Sequence, residues 1–204
     1  MRDQLRALDE RLSRAKVLPV LRAPSVRAAL AQVRLCAEAG LDVIELTTST
    51  PDWPAALAEA RANHPERLIG VGTVLTKADA ERAIDHGAGF LVSPCPAAPV
   101  RRVAKQRGTE FLEGGMTVRE VLSASNRGIA KLFPAHVGGP QFLRSVLALR
   151  PGARIVPTGG ISLADVPEWL RAGAVAVGIG GGLLSEPDLR AAISDIQQDS
   201  LTEP

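Results

Sequence analysis

Residues 43–71, VIELTTSTPDWPAALAEARANHPERLIGV, contain the pattern that decides the fold. A short run of apolar and β-branched residues at 43–47 is followed by polar turn residues and then by a longer segment rich in Ala, Leu, Arg and Glu. A second apolar run follows at 68–71. This order predicts a strand, a helix that begins near Asp52, and a second strand. Because the connection is long enough to hold a helix, we expect the two strands to be parallel.

The same alternation extends along the chain. The predicted strands are 17–21, 43–47, 68–71, 90–92, 110–112, 129–133, 154–157 and 175–178. The predicted helices begin near Ser25, Asp52, Lys77, Ala97, Thr117, Pro140, Ser162 and Leu183, and an additional amphipathic helix at 2–15 precedes the first strand. Eight strand–helix units in 204 residues predict a (β/α)8 TIM barrel in which residues 1–204 form a single domain. A doubly wound open sheet is the alternative, although no G-x-G-x-x-G follows the first strand.

Local sequence signals mark several helix ends. Thr117 and Glu120 fit a capping box, and Thr76 precedes another helical run. Three glycines, Gly40, Gly87 and Gly173, have the position of C′ residues that end helices. We expect the last residues, 199–204, to form a frayed tail.

The composition excludes several classes of protein. Hydrophobic residues make up 46% of the chain and charged residues 23%, as in ordinary globular domains. Lys and Arg number 24 against 22 Asp and Glu, so the net charge of +2 is not the footprint of a nucleic-acid-binding protein. With no Tyr and an aromatic content of 3%, base-stacking surfaces are not expected.

The cysteines and the N-terminus indicate a cytoplasmic protein. Cys36 and Cys95 are too few for a disulfide framework. The charged segment 1–16 lacks the apolar core of a signal peptide, and no apolar run has the length of a membrane span. The three histidines lack metal-ligand spacing, so no metal site is expected.

Lys131 is the most specific candidate for chemistry. It is one of four lysines in a chain that has 20 arginines, and it lies inside an apolar predicted strand. Burial favours the neutral amine, which is the nucleophile that forms a Schiff base with a carbonyl. The alternative is a strand-end lysine whose ammonium group reaches solvent or pairs with a carboxylate.

Further candidates lie at strand ends, where TIM barrels carry their active sites. Glu45 interrupts an apolar strand and is predicted to relay protons, or to pair structurally with Lys131. Gly159-Gly160 and Gly180-Gly181-Gly182 precede predicted helices after the last two strands, where barrels often bind phosphate through backbone N–H groups. His136 follows the sixth strand, and we expect it at the surface or at the mouth.

Several motifs together resemble one family. They are Pro19-Val20-Leu21-Arg22, Val43-Ile44-Glu45-Leu46-Thr47, Gly70-Val71-Gly72-Thr73-Val74-Leu75, Val92-Ser93-Pro94, Lys131-Leu132-Phe133-Pro134-Ala135, Gly139-Pro140-Gln141-Phe142 and Pro157-Thr158-Gly159-Gly160-Ile161. From about Lys16 to Leu184 the chain resembles the 2-keto-3-deoxy-6-phosphogluconate (KDPG) and 4-hydroxy-2-oxoglutarate aldolases, close to the 2-keto-3-deoxy-6-phosphogalactonate members.

The resemblance implies a trimeric barrel and a class I aldolase that needs no metal or other cofactor. It implies that Lys131 forms the Schiff base and that Glu45 shuttles protons. The implied substrate-binding positions are Thr73, Pro94 and Phe133 around pyruvate, and Gly159 and Gly160 at the phosphate.

Three residues depart from the family pattern. Many members have Arg at Ser49, where it binds the pyruvate carboxylate, so that the backbone of Gly72 and Thr73 is the expected substitute here. Gly181, beside Gly180, replaces a serine of the phosphate turn. Glu113 replaces a proline, and we expect a carboxylate there to lie at the mouth, where it would change the ionisation of Lys131 or repel an anionic substrate.

Three functional hypotheses follow. The first is cleavage of a 2-keto-3-deoxy-6-phospho sugar acid to pyruvate and glyceraldehyde 3-phosphate. The second is an aldolase for an unphosphorylated or other 2-keto acid, such as 4-hydroxy-2-oxoglutarate. The third is an impaired barrel that serves as a scaffold or binding protein. The expected partner is a small 2-keto acid, with no nucleic acid and no membrane.

Overall fold

A computed structural model describes residues 2–199 and shows eight parallel strands. They are β1 Val17–Leu21, β2 Val43–Thr47, β3 Leu68–Gly72, β4 Phe90–Val92, β5 Glu110–Gly115, β6 Ala130–Leu132, β7 Ile155–Pro157 and β8 Val177–Ile179. The strand order is β7-β6-β5-β4-β3-β2-β1-β8, and a parallel bridge between Thr158 and Gly178 joins the last two strands. The sheet therefore closes on itself, which confirms the barrel and excludes the open sheet.

The helices surround the strands. They are α1 Arg2–Ala15, α2 Val26–Glu38, α3 Trp53–Asn63, α4 Lys77–Asp85, α5 Ala98–Arg107, α6 Val118–Ser125, α7 Gly139–Leu149, α8 Val166–Arg171 and α9 Leu189–Asp199. None of the helices in residues 2–199 is both long enough and apolar enough to span a bilayer. Asp199 ends α9, and the rest of the predicted tail, residues 200–204, lies outside the described residues.

The predicted caps are confirmed. The side chains of Thr76 and Thr117 accept hydrogen bonds from helix N–H groups, and Thr117 forms a capping box with Glu120. Gly40, Gly87 and Gly173 have positive φ angles of 85°, 89° and 100°. Glycine reaches this backbone region without the steric cost that other residues pay.

The last two units differ from the prediction at their helix starts. Short 3-10 helices at Leu163–Asp165 and Leu183–Ser185 occupy the predicted starts, and the α-helices α8 and α9 begin later. Pro167 in the first turn of α8, and Pro187 before α9, lack the N–H that a continuous α-helix would use. Strands β1, β2 and β4 have the predicted bounds. The other strands differ by one to three residues at an end, most in β5, which continues to Gly115.

Each strand has one face toward the barrel interior and one toward the helices. Leu18, Val43, Phe90, Leu112 and Val156 belong to a buried cluster inside the barrel. A second cluster, which includes Ile44, Leu46 and Ala130, packs between the strands and the helices. This alternation is the period of two that a strand imposes, and it decides which polar side chains enter the interior.

Helix α1 closes the amino end of the barrel. Leu8 and Leu12 of α1 are 1% and 0% exposed and belong to the interior cluster. Arg154 Nε, just before β7, donates to Asp9 Oδ1 at 2.8 Å, and Arg14 Nη2 lies 3.2 Å from Asp42 Oδ2, just before β2. The interior is therefore closed at this end, and the candidate site lies at the carboxyl end.

Candidate active site

Lys131 of β6 and Glu45 of β2 form a buried ion pair inside the barrel. Lys131 Nζ lies 3.3 Å from Glu45 Oε1 and 3.4 Å from Oε2. The two side chains are 6% and 1% exposed. The ring centroid of Phe133 lies 5.9 Å from Nζ. An amine, a carboxylate and an aromatic ring thus meet at one point that is largely closed to water.

Glycines on the neighbouring strand make room for Glu45. In the β2–β3 ladder Glu45 is paired with Gly70 and Thr47 with Gly72. A Cβ at Gly72 would overlap the Glu45 carboxylate. Because any larger residue at position 72 would displace that carboxylate, the position of Glu45 depends on this glycine.

Thr47 and Ser49 follow Glu45 toward the mouth. Thr47 Oγ1 donates to the carbonyl of Leu21 at 3.0 Å and lies 2.7 Å from Ser49 Oγ. Because the single hydroxyl hydrogen of Thr47 is used by Leu21, Ser49 is the donor of the second bond. Ser49 is exposed and presents acceptor lone pairs to the mouth.

The turn after β3 is held in an unusual conformation. Thr73 has a positive φ of 61°, which is uncommon for a residue with a side chain. Its carbonyl accepts a hydrogen bond of 2.9 Å from Thr48 Oγ1. The backbone of Gly72 and Thr73 is thereby fixed beside Glu45, as a site for an anionic group would require.

Pro94 lies in the loop between β4 and α5, against the strand next to Lys131. Gly114 of β5 is paired with Lys131 of β6. The backbone of Pro94 occupies the space that a Cβ at Gly114 would take. The half-buried Pro94 thus forms a wall beside the lysine strand.

The expectation that Glu113 lies at the mouth and acts on Lys131 or on an anionic substrate is wrong. Since Gly114 shares its register with the inward-facing Lys131, Glu113 faces the helices. It accepts hydrogen bonds from Arg101, Arg127 and the backbone N–H of Ala97. Burial alone would raise the pKa of Glu113, but the bonds from Arg101, Ala97 and Arg127 and the charge of Arg101 outweigh it and lower this pKa.

The glycine turns after β7 and β8 lie at the same end of the barrel. Gly159 and Gly160 have φ angles of 97° and 68°, and a Cβ at Gly159 would lie 2.9 Å from Cε2 of Phe133. Within the described part of the chain, the N–H groups of Gly160 and Gly181 have no backbone acceptor. A Cβ at Gly181 would meet no atom within 4 Å.

His136 and Gly180 complete this edge of the mouth. The exposed His136 ring packs on Gly160, and its Nδ1 lies 3.1 Å from the carbonyl oxygen of Gly159, so Nδ1 is the donor. Gly180 lies next to β1, because a Cβ at this glycine would be 4.0 Å from the carbonyl oxygen of Val20. This edge of the mouth thus presents backbone N–H groups from the glycine turns and the imidazole of His136.

Sequence reasoning missed three residues. Thr47 and Thr158 are 0% and 4% exposed and face the interior, as their spacing of two from Glu45 and Val156 could have shown. Arg22 directly follows β1 and is exposed, and no hydrogen bond or ion pair connects its side chain to the described residues. Its position could have indicated a role in the site, because Arg22 follows the carboxyl end of a strand, where the site lies.

The two cysteines lie in different surroundings, and the described residues form no cluster of metal ligands. Cys95 is exposed in the loop that follows β4, whereas burial raises the pKa of the Cys36 thiol to about 12. Within residues 2–199, no group of three or more His, Cys, Asp or Glu side chains could hold a metal ion.

Comparison with known proteins identifies the family. The sequence pattern of the KDPG and KHG aldolase family matches residues 8–198. The chain belongs to this family. A probable 2-dehydro-3-deoxy-6-phosphogalactonate aldolase of Rhizobium meliloti is 33% identical over 80% of this chain and 78% of its own length. A 2-dehydro-3-deoxy-phosphogluconate aldolase of Pseudomonas aeruginosa is 33% identical over 80% and 76%.

A solved structure supports the same assignment for the fold. The KDPG aldolase of Legionella pneumophila, captured with pyruvate as a covalent carbinolamine intermediate, has a TM-score of 0.78 and 25% identity, with 94% of this chain and 97% of that one covered. This chain is thus an aldolase, a carbon–carbon lyase. Family membership favours an enzyme over the scaffold hypothesis.

Proposed function

We propose that this aldolase is a class I enzyme that cleaves a 2-keto-3-deoxy-6-phospho sugar acid to pyruvate and glyceraldehyde 3-phosphate. The observation that carries the proposal is the Lys131–Glu45 pair, whose nitrogen and oxygen atoms are 3.3 Å apart and buried. A lysine with one carboxylate partner in a closed, largely apolar site can transfer its proton to that partner and become a nucleophile.

Glu45 supports the formation of the Schiff base. After it accepts the Lys131 proton, the neutral amine attacks the C2 carbonyl of the substrate and a carbinolamine forms. Glu45 then returns a proton to the departing hydroxyl group, so that water leaves and the iminium remains. The Phe133 ring, 5.9 Å from Nζ, supports a cationic intermediate at this nitrogen.

The iminium accepts the electrons of the bond that breaks. Glu45, which has given up its proton, takes the C4 hydroxyl proton as the aldehyde forms, and the electron pair of the C3–C4 bond passes into the C2–C3 enamine. The aldehyde leaves, and protonation at C3 restores the iminium of pyruvate. Water attacks it, and pyruvate and free Lys131 are released.

Backbone groups and Arg22 are the proposed anion ligands. The fixed turn at Gly72 and Thr73 supplies backbone donors for the keto-acid carboxylate, and Pro94 packs beside it. Gly159, Gly160, Gly180 and Gly181 cradle the phosphate. The unpaired Arg22 adds positive charge at the mouth for one of these two groups.

Trapping with borohydride tests the proposal. The protein is reduced in the presence of pyruvate, digested, and mapped by mass spectrometry. We expect a pyruvyl adduct on the peptide that contains Lys131, and neither an adduct nor cleavage activity in Lys131→Met. A folded wild-type protein without an adduct would overturn the proposal.

A second candidate is an aldolase for an unphosphorylated 2-keto acid such as 4-hydroxy-2-oxoglutarate. The empty space beside Gly181, where no side-chain donor stands, favours it. Measurement of kcat/KM for a phosphorylated and an unphosphorylated keto acid decides between the two. A preference for the phosphorylated substrate of about tenfold or more supports the first candidate, and equal rates support the second.

Three further features stay predictions: the single domain over residues 1–204, the homotrimer and the cytoplasmic location. Light scattering behind a sizing column measures the oligomeric state.

A further inference from the structure

We infer that Glu113 is a positioning residue, which holds the loop at residues 93–97 against the strand next to Lys131. The inference rests on the proposed function, because the loop matters as a wall of the keto-acid pocket. Glu113 touches neither Lys131 nor Glu45 and acts through the loop.

Glu113 fixes the far end of the loop. Its Oε1 accepts a 2.8 Å hydrogen bond from the N–H of Ala97, the residue before α5. Arg101 Nε donates to Oε2 at 2.9 Å, Arg101 Nη2 to Oε1 at 2.5 Å, and Arg127 Nη2 to Oε2 at 2.5 Å. Four donors thus hold a carboxylate that is 3% exposed.

Ser93 fixes the near end of the loop to the same strand. Its N–H donates to the carbonyl of Leu112 at 3.1 Å. Its hydroxyl donates to the carbonyl of Cys95 at 2.7 Å and accepts from the N–H of Gly114 at 3.3 Å. The loop is therefore tied at both ends to three consecutive residues of β5, with Glu113 in the middle.

The tied loop is connected with the lysine through two contacts. Gly114 follows Glu113 and is paired with Lys131 in the β5–β6 ladder. The backbone of Pro94 rests on Gly114 where a side chain would otherwise stand. The distance between the Pro94 wall and the lysine strand is thus set on one face by Gly114 and on the other by the hydrogen bond that the N–H of Ala97 donates to Glu113.

The two arginines make this anchor specific. Arg101 lies on α5, beyond the loop, and Arg127 lies between α6 and β6. Their side chains are 36% and 40% exposed, so their guanidinium groups reach solvent while they hold the buried carboxylate in one orientation. Three segments around the pocket therefore meet at one side chain.

The experiment compares Glu113→Met, Glu113→Gln and the wild type, with Glu110→Met on the same strand as the matched control. Hydrogen–deuterium exchange is followed for the 93–97 segment, in which Pro94 and Pro96 carry no N–H. Borohydride trapping with pyruvate and the KM for the keto acid are measured on the same samples, after circular dichroism has shown that they are folded.

We expect the Ala97 amide to exchange faster in Glu113→Met. The trapping rate should fall and the KM should rise by about fivefold, because small displacements of pocket groups are costly. Glu113→Gln, which keeps one oxygen, should give intermediate values, and Glu110→Met should match the wild type. If Glu113→Met does not fold, Arg127→Gln is the second variant. It removes one hydrogen-bond donor to Glu113 by changing a half-exposed side chain, and its changes in exchange, trapping rate and KM should have the same direction and be smaller.

An unchanged KM and trapping rate in a folded Glu113 variant would overturn the inference, even if its melting temperature fell, because the role of Glu113 would then be structural. Unchanged exchange at Ala97 would also overturn it. A wild-type protein that forms no pyruvate adduct would instead refute the proposed function. The exchange measurement separates the two failures, since it does not depend on activity.

Discussion

Glu45 and Glu113 are two buried glutamates on opposite faces of the same barrel wall. Glu45 points into the interior, and within the described part of the chain Lys131 is its hydrogen-bond donor, at 3.3 and 3.4 Å. Glu113 points toward the helices and accepts four hydrogen bonds from three residues. Their side chains are 1% and 3% exposed. Burial is thus nearly the same, and hydrogen bonding is not.

The difference in hydrogen bonding distinguishes a candidate catalytic carboxylate from a structural one. A carboxylate has about four lone-pair positions. At Glu113 all of them face donors, so its charge is held in place. At Glu45 Lys131 uses part of this capacity, and in the proposed mechanism the rest serves to bind and protonate a substrate hydroxyl or a water. A buried acid with unused bonding capacity is a better candidate for catalysis than one that is fully bound.

The largest expected effect is a difference between the same substitution at the two sites. Glu45→Gln should lower kcat for aldol cleavage by about a hundredfold to ten-thousandfold, because a general acid–base group is lost. Glu113→Gln should lower it by less than tenfold. Steady-state kinetics on both variants, with unfolding curves as the control for folding, tests this prediction. Equal losses of activity would remove the distinction between the two glutamates.

A second prediction concerns the glycine under Glu45. Gly72→Ala should lower kcat/KM by about a hundredfold although it replaces no reacting side chain, since the new methyl group would overlap the Glu45 carboxylate and displace it. A misplacement of about 1 Å is enough for a loss of this size. Gly181→Ala, where the methyl group enters open space, should stay within about twofold of the wild type on an unphosphorylated substrate. A fully active Gly72→Ala variant would show that the position of Glu45 is not critical.

The smallest effect concerns acid stability. The pKa of Glu113 is lowered in the folded protein, so its ionised form stabilises the fold above the ordinary glutamate value of 4.5. This stabilisation is lost as the pH falls below 4.5 and through the lower folded pKa. Because Arg101 and Arg127 are partly exposed, we expect the free energy of unfolding of the wild type to exceed that of Glu113→Gln by only about 1 kcal/mol at pH 7.

Urea unfolding at pH 7 and at pH 3 measures this difference. It should shrink at the lower pH, because a glutamate in the unfolded chain takes up a proton below pH 4.5, whereas the folded protein keeps the pKa of Glu113 lower. A constant difference between the wild type and Glu113→Gln would mean that shape, and not charge, makes the contribution.

The barrel could be predicted from the sequence because its signals are local. Apolar runs and helix caps such as Thr76 and Thr117 lie within a few residues of the structure they determine. The start of α9 was missed because Leu183 begins a 3-10 turn, and a proline at position 187 separates it from the helix. The Lys131–Glu45 contact could be expected only in outline, since 86 positions separate the two residues.

Glu113 shows where such reasoning ends. A strand that ended at Leu112 would have placed this carboxylate at the mouth. The observed β5 continues to Gly115, and one position along a strand changes the face. The partners that explain a buried glutamate, Arg101 and Arg127, lie on other segments, and no short motif connects them with it.

The closure of the amino end by α1 bears on how substrates and products move through the site. Leu8 and Leu12 close the amino end of the barrel. Substrates and products therefore enter and leave through the mouth at the carboxyl end. In the proposed reaction the three-carbon half is attached to Lys131 at the inner end, and the aldehyde lies between it and the exit. The aldehyde must therefore depart first, and in the synthetic direction pyruvate must be loaded before its partner. The covalent bond to Lys131 sets this order, and the closed amino end adds that both products leave through the mouth.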